Sequence, residues 1–289
     1  MAKLIFGCGY LGFRVARLWK AAGETVYAVT RSAQRAREFA AAGIEPIVGH
    51  LLDGTQPPVP QGVQAALFAV GFAHQDGRTA HDLYVAGLSS AIRWMPNSID
   101  RFLYASSTGV YGQAAGETVD ERSPCQPTRE GGVACLAAEQ LLQKSRLAHG
   151  AIILRLAGLY GPGRTPRAAD ILSGRAIDAP AQGWLNLIHV DDAAQIVLLA
   201  DQRARPPRTY VVSDGVPVLR ADYYAELARL LGAPPPNLVE PLSNSPAAER
   251  ATSDKRVNPR RMFDELAPKL LYPNYRNGLA AIVAATARD

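Results

Sequence analysis

Along the first 110 residues, short apolar runs alternate with segments whose apolar positions recur every three to four residues. The runs Lys3-Phe6, Thr25-Val29, Pro46-Val48, Ala65-Val70 and Arg101-Ala105 have the length and bounding turn residues of buried strands. Between the first two, Leu11, Val15, Leu18 and Trp19 fall at i, i+4, i+7 and i+8, one face of a helix that Gly23 terminates. This βα rhythm predicts a doubly wound α/β fold, a parallel sheet with helices on both faces. Ala151-Leu156 and Leu185-Val190 are expected as its sixth and seventh strands, with a helix around Cys135-Leu147 before the first of them.

After Ser213 the texture changes. A strand-like Thr209-Val212 and a helix over Ala221-Leu231 are followed by Pro234-Pro-Pro236 and Asn244-Ser-Pro246, which mark loops. Residues 1–162 are read as the sheet domain. Residues 163–289 are read as a smaller C-terminal lobe, from which about 184–213 return to the sheet core.

Composition narrows the classes. The 31 basic and 26 acidic residues leave a net charge of +5, with no run of five or six like charges, so nucleic acid is not an expected partner. No segment approaches the roughly 18 apolar residues of a membrane span. Cys8, Cys125 and Cys135 form no CxxC pair, and the chain passes from Met1 through Lys3 straight into strand-like sequence. A cytoplasmic location with reduced thiols is expected. The five histidines show no metal-ligand spacing, and no metal site is expected.

Gly7-Cys-Gly-Tyr-Leu-Gly12 is a GxGxxG turn between a strand and a helix, the context a dinucleotide fingerprint requires. Gly7 makes the tight turn, Gly9 lets the backbone approach a pyrophosphate, and Gly12 permits close helix–sheet packing. Tyr10 and Leu11 complete the turn, and the helix N-terminus offers free N–H groups to phosphate. An NAD-preferring site has an acid at the end of the second strand. Here the sequence reads Val29-Thr-Arg31-Ser32 and then Arg35, a basic pattern suited to a 2′-phosphate, so NADP(H) is favoured over NAD(H).

Together, the glycine turn and Tyr104-Ala-Ser-Ser-Thr-Gly-Val-Tyr-Gly112 resemble the extended short-chain dehydrogenase/reductase family of NAD(P)-dependent epimerases, dehydratases and reductases, in its YeeZ-like branch. The likeness continues through Leu154-Arg-Leu-Ala-Gly-Leu-Tyr-Gly-Pro-Gly163, Ile188-His-Val-Asp-Asp192 and Ser253-Asp-Lys-Arg-Val-Asn258, covering nearly the whole chain. It implies a Rossmann sheet, a small-molecule carbonyl or hydroxyl substrate and, as is common in the family, a homodimer. The resemblance also places Leu51 and Leu52 beside the adenine, and Ala69, Val70 and Gly71 along the nicotinamide ribose.

In the family a Ser or Thr after the fifth strand polarises the reacting oxygen, and that residue matches Ser107, with Ser106 and Thr108 as near alternatives. A Tyr and a Lys four residues later move the proton. At those places this chain has Gly131 and Cys135. The family's supporting Asn is matched by Tyr84. Three consequences are open. Another group, with Tyr84 and Tyr160 foremost and Tyr111 and His74 besides, carries the proton, or Arg129 instead binds an anionic substrate; or the chain binds NADP(H) as a sensor or scaffold without turnover; or Cys135 is a reactive thiol. Asp191-Asp192 is expected to cap and charge-match the start of a helix.

Overall fold

The computed structural model of the chain describes residues 1–53, 57–72, 77–96, 99–243 and 245–286. His74 lies outside the described residues. Seven strands form one parallel sheet: β1 (Ala2–Phe6), β2 (Thr25–Thr30), β3 (Glu45–Val48), β4 (Val63–Phe68), β5 (Arg101–Ser107), β6 (Ala151–Leu156) and β7 (Arg208–Val212). Their order is β7-β6-β5-β4-β1-β2-β3, with the reversal between β1 and β4 that marks the ligand crevice of a doubly wound sheet. Register is set in line with the burial pattern: Leu4 pairs with Tyr27 and with Ala66, Ile5 with Ala28 and with Leu67.

Alternation along the strands builds a core on each face. Ile5 and Leu103 pack with Val15 and Trp19 of α1 (Gly12–Ala21) and with Ile196 and Val197 of the helix over Val190–Arg203. Leu4, Phe6, Phe102 and Tyr104 pack on the other face, against Leu88 of the helix Gly87–Trp94 and Leu142 of the helix Glu130–Lys144. A buried ion pair ties the first face together: Lys3 Nζ lies 2.7 Å from Asp201 Oδ2, and Trp19 Nε1 donates to the same oxygen at 3.1 Å. No helix of the described residues is long and apolar enough to cross a membrane.

The expected seventh strand is corrected. Leu185-Val190 does not join the central sheet, because Asn186 interrupts the run and fastens elsewhere. Its Nδ2 donates to the Lys255 carbonyl and its Oδ1 accepts from the Val257 N–H, both at 2.8 Å. Leu187–His189 pairs instead with Gly158–Tyr160, and Val190 already begins a helix. The edge place beside β6 falls to β7.

The C-terminal residues gather a core of their own from Tyr160, Ile177, Leu187, Tyr223, Leu227 and Leu279. Gly158–Tyr160, the helices Arg220–Leu231 and Tyr275–Thr286 and the strand Ile177–Asp178 surround it. Asp192 anchors this part to the sheet side. Its carboxylate accepts from the N–H groups of Leu271 at 2.7 Å and Tyr272 at 3.0 Å. The cap of the Val190–Arg203 helix is His189, whose Nδ1 accepts from Asp191 N–H, and Asp191 pairs with Arg14 at 2.6 Å. The two aspartates therefore act as anchor and ion-pair partner within the first turn, with the capping acceptor one residue earlier.

Candidate active site

The carboxyl ends of the strands open into a cleft of about 1080 Å³ running from the glycine turn to the C-terminal lobe. At its first end, Gly7 has φ +86°, and a Cβ there would lie 2.5 Å from the Ala69 and Val70 backbone. A Cβ on Gly12 would lie 2.5 Å from the Gly7 carbonyl oxygen, so Gly12 stands behind the turn, closing α1 onto β1. Gly9 differs from both: a Cβ there meets nothing within 4 Å. Its backbone faces open cleft at the head of α1, where free N–H groups and the helix dipole favour a pyrophosphate. The residues present therefore fit a dinucleotide.

Gly7, Gly9, Tyr10, Leu11, Arg31, Arg35, Leu51, Leu52, Ala69, Val70 and Gly71 all line this cleft. Arg35 is held there by its own surroundings: Nη2 donates to the Cys8 carbonyl at 3.0 Å and Nη1 to Glu38 at 2.8 Å. Ser32 Oγ accepts from the Arg35 N–H at 3.2 Å and caps the helix Ala33–Ala41, so it shapes the turn on which Arg31 and Arg35 line the cleft. His50 Nδ1 accepts from Leu52 N–H at 3.0 Å and fixes the hydrophobic pair. Tyr10 lies between the Arg14 and Arg164 guanidinium groups, at 4.5 and 5.6 Å from its ring.

Farther along, β5 ends at Ser107, which lines the cleft and whose Oγ accepts from the Gly109 N–H at 3.0 Å. Ser106 points the other way, donating to Glu139 Oε1 at 2.6 Å. Behind it lies a closed network: Arg155 pairs with Glu139 at 2.7 Å and donates to the Tyr111 hydroxyl at 2.8 Å, which itself donates to the Asp120 carbonyl at 2.8 Å. Tyr111 thus has both hydroxyl functions committed, and it is a structural group supporting the β5 end. The network selects Ser107 over Ser106 as the group free to meet a ligand.

Tyr84 sits on a wide, π-helical turn, Asp82–Ala86, that leads into the Gly87–Trp94 helix and lines the cleft. Such turns recur at functional sites because they redirect one side chain. Burial pushes its hydroxyl pKa up, with the Cys135 thiol adding in the same direction and the Phe72 N–H and Arg164 working against it. Tyr160 is a correction. It is 1% exposed, meets the His189 ring edge-on at 5.3 Å and packs beside Gly278, away from the cleft, because Gly158–Tyr160 has left the central sheet. Cys135 borders the cleft but is 6% exposed, and burial pushes its thiol pKa up to about 11, which disfavours the thiolate that a reactive cysteine needs.

Gly131 and Gly132 open the helix Glu130–Lys144 for different reasons. A Cβ on Gly132 would strike the Gly109 carbonyl oxygen at 2.2 Å, whereas one on Gly131 meets nothing within 4 Å. The place matching the family's tyrosine is therefore open space. Arg129, just before this helix, also lines the cleft. Arg164 and Lys255, to which the sequence reading gave no role, also stand on the cleft wall. Lys255 sits within the quoted Ser253-Asn258 stretch, and one of only five lysines in the chain was the available signal.

The sequence model of the NAD dependent epimerase/dehydratase family matches residues 4–213. Protein YeeZ of Escherichia coli K12 is 31% identical over 180 residues, 62% of this chain, and the match spans 61% of the length of YeeZ. A 3-diazoavenalumate denitrifying reductase from a Streptomyces species is 27% identical, aligned over 96% of this chain and 99% of its own. Among solved structures, a conserved protein of unknown function from Silicibacter pomeroyi superposes with a TM-score of 0.83 at 32% identity, covering 98% of each chain. A UDP-glucose 4-epimerase from Thermotoga maritima gives 0.77 at 16% identity over 100% of this chain and 99% of that one, a likeness of fold. With the glycine turn, the seven-stranded sheet and the Ser107 wall in place, the chain belongs to the NAD dependent epimerase/dehydratase family.

Proposed function

We propose that this chain is an NADP(H)-dependent oxidoreductase or epimerase/dehydratase-type enzyme acting on a carbonyl or hydroxyl group of a small molecule. The observation that carries the reading is the continuity of one cleft from Gly9, Arg31 and Arg35 to Ser107 and Tyr84. The dinucleotide, when bound, supplies hydride exchange at its nicotinamide. The turn Gly7–Leu11 holds the pyrophosphate, and Arg31 with Arg35 reads the 2′-phosphate. Ser107 holds the reacting oxygen by donating a hydrogen bond. Tyr84 takes the family tyrosine's part from a different element. A tyrosine hydroxyl is protonated at neutral pH and can donate a proton to the reacting oxygen; burial, which raises the pKa of Tyr84, works against that transfer and leaves the bound nucleotide's positive charge to offset it. A relative named as a reductase, aligned along nearly the full chain, supports this direction.

A second reading, nucleotide binding without turnover, is favoured by Gly131 and Cys135 in the places of the family's Tyr and Lys. A crystal structure with NADP⁺ separates the two. Nicotinamide C4 facing an open cavity beside Ser107 Oγ and Tyr84 Oη supports the enzyme, and C4 covered by protein overturns it. The nucleotide assignment has its own test. Arg31→Glu is expected to weaken NADPH binding ten- to a hundredfold, roughly 1.5 to 3 kcal/mol, and NADH binding far less. Equal losses in a fluorescence titration would remove Arg31 from the 2′-phosphate site.

A further inference from the structure

Arg220 opens the helix Arg220–Leu231 and stands on the cleft wall where the C-terminal lobe borders it. The residue is 7% exposed. Backbone sets its place: Arg220 N–H donates to the Gly183 carbonyl at 3.0 Å, Ala221 N–H to the Ala181 carbonyl at 3.2 Å, and Trp184 pairs with Leu219. The guanidinium is fastened by one corner, where Nη1 donates to the Gln182 carbonyl at 2.9 Å and to the Pro180 carbonyl at 3.3 Å. Those bonds leave the Nε–Nη2 edge without a hydrogen-bond partner among the described residues. Arg167, Arg175 and Arg229 of the same lobe each meet a carboxylate, at 3.2, 3.1 and 2.8 Å, whereas among the described residues none lies within 4.0 Å of the Arg220 guanidinium. A buried guanidinium is costly unless an anion completes it.

The free edge selects the anion. Nε and Nη2 present two parallel N–H groups, which match the two oxygens of one carboxylate. Asp178, the single acid lining the cleft among the described residues, stays beyond ion-pair reach and leaves that edge open. The surroundings select what carries the carboxylate. Ala179, Pro180 and Trp184 line the cleft on the segment that holds Nη1, and Tyr224, one turn along the helix on the same face as Arg220, lines it too. One charged group set among apolar walls is the arrangement of a site for an amphipathic acid. We propose that Arg220 binds the carboxylate of a substrate whose aromatic or other apolar body lies along Pro180, Trp184 and Tyr224. That this acid is the molecule exchanging hydride rests on the enzyme reading given above; the carboxylate subsite does not.

The test is calorimetric titration of the full chain, with and without NADP⁺, using 3-phenylpropanoate, its neutral analogue 3-phenylpropanamide, and phenyl phosphate. The acid is expected to bind the parent protein about tenfold more tightly than the amide. Arg220→Lys keeps the charge and a donor for the Pro180 and Gln182 carbonyls but loses the fork, and is expected to weaken the acid about tenfold, with NADPH affinity unchanged. Arg220→Gln is expected to abolish the preference for acid over amide. Should the Gln variant fail to fold, the parent and Arg220→Lys decide. Equal affinity of the parent for acid and amide, no binding of the acid, or undiminished acid binding in Arg220→Lys overturns the proposal. Phenyl phosphate binding more tightly than the acid, with the same loss in Arg220→Lys, overturns the carboxylate assignment. If NADP⁺ fails to bind but the acid binds with these losses, the subsite stands and the nucleotide reading falls.

Discussion

The two ends of the cleft are made differently. At the glycine end, backbone from one βαβ unit does the work: Gly7 turns the chain, Gly12 closes the helix, and Gly9 leaves its face open. At the Ser107 end, side chains from segments far apart in sequence converge, with Tyr84, Ser107, Arg129, Arg164 and Lys255 each from a separate element or loop. A backbone site depends on local conformation, and a side-chain site on packing between elements. The first therefore tolerates no change of shape, and the second depends on what buttresses it.

The largest effect belongs to the backbone end. Gly7→Val combines φ +86° with contact at 2.5 Å to Ala69 and Val70, so a stability loss above about 4 kcal/mol is expected, seen by urea denaturation together with loss of NADPH binding. If the variant folds and binds normally, the contrast between the two ends collapses. Next is the buttress of the other end. Glu139→Ala leaves Arg155 buried without its carboxylate and frees Ser106, with an expected cost of roughly 3 to 5 kcal/mol; a loss under 1 kcal/mol would mean the network does not support β5.

A smaller effect reads the Lys255 charge directly. Burial, then Arg129, lower its pKa to about 8, while Asp254, the preceding residue, acts the other way. The unfolded chain holds this proton more tightly than the folded one, so stability is expected to rise with pH between about 8 and 10.5. The rise should be lost in Lys255→Gln, measured by urea denaturation across that range, and an equal rise in the variant would mean that Lys255 is not its source. The smallest effect concerns Ser32. With Ser32 acting as a helix cap, Ser32→Ala is expected to cost about 1 kcal/mol and to leave the NADPH-to-NADH affinity ratio within twofold. A changed ratio would return Ser32 to the cofactor site.

The difference between the two ends also explains what sequence reading reaches. Five strands of the sheet and the sixth, Ala151–Leu156, follow from runs of buried β-formers, because hydrophobic periodicity is local. The seventh was misplaced, since Leu185-Val190 and Thr209-Val212 are equally strand-like, and only the side-chain bonds of Asn186 divert the former. Tyr160 looked available because it follows a strand; the departure of Gly158–Tyr160 from the central sheet buries it. Tyr111 was equally exposed to misreading, its hydroxyl being consumed by Arg155 and the Asp120 carbonyl.

By itself, the sequence determined the glycine turn, the βα alternation, the basic pair Arg31 and Arg35, and the replacement of the family's Tyr and Lys by Gly131 and Cys135. These are properties of neighbouring residues or of a motif's fixed spacing. Which hydroxyls and cations face the cleft was decided only by tertiary structure. Ser106 and Ser107 are adjacent yet bond to different partners, and Arg129 and Lys255 lie 126 positions apart yet both line one cleft. Long-range packing fixes those directions, and no local pattern encodes them.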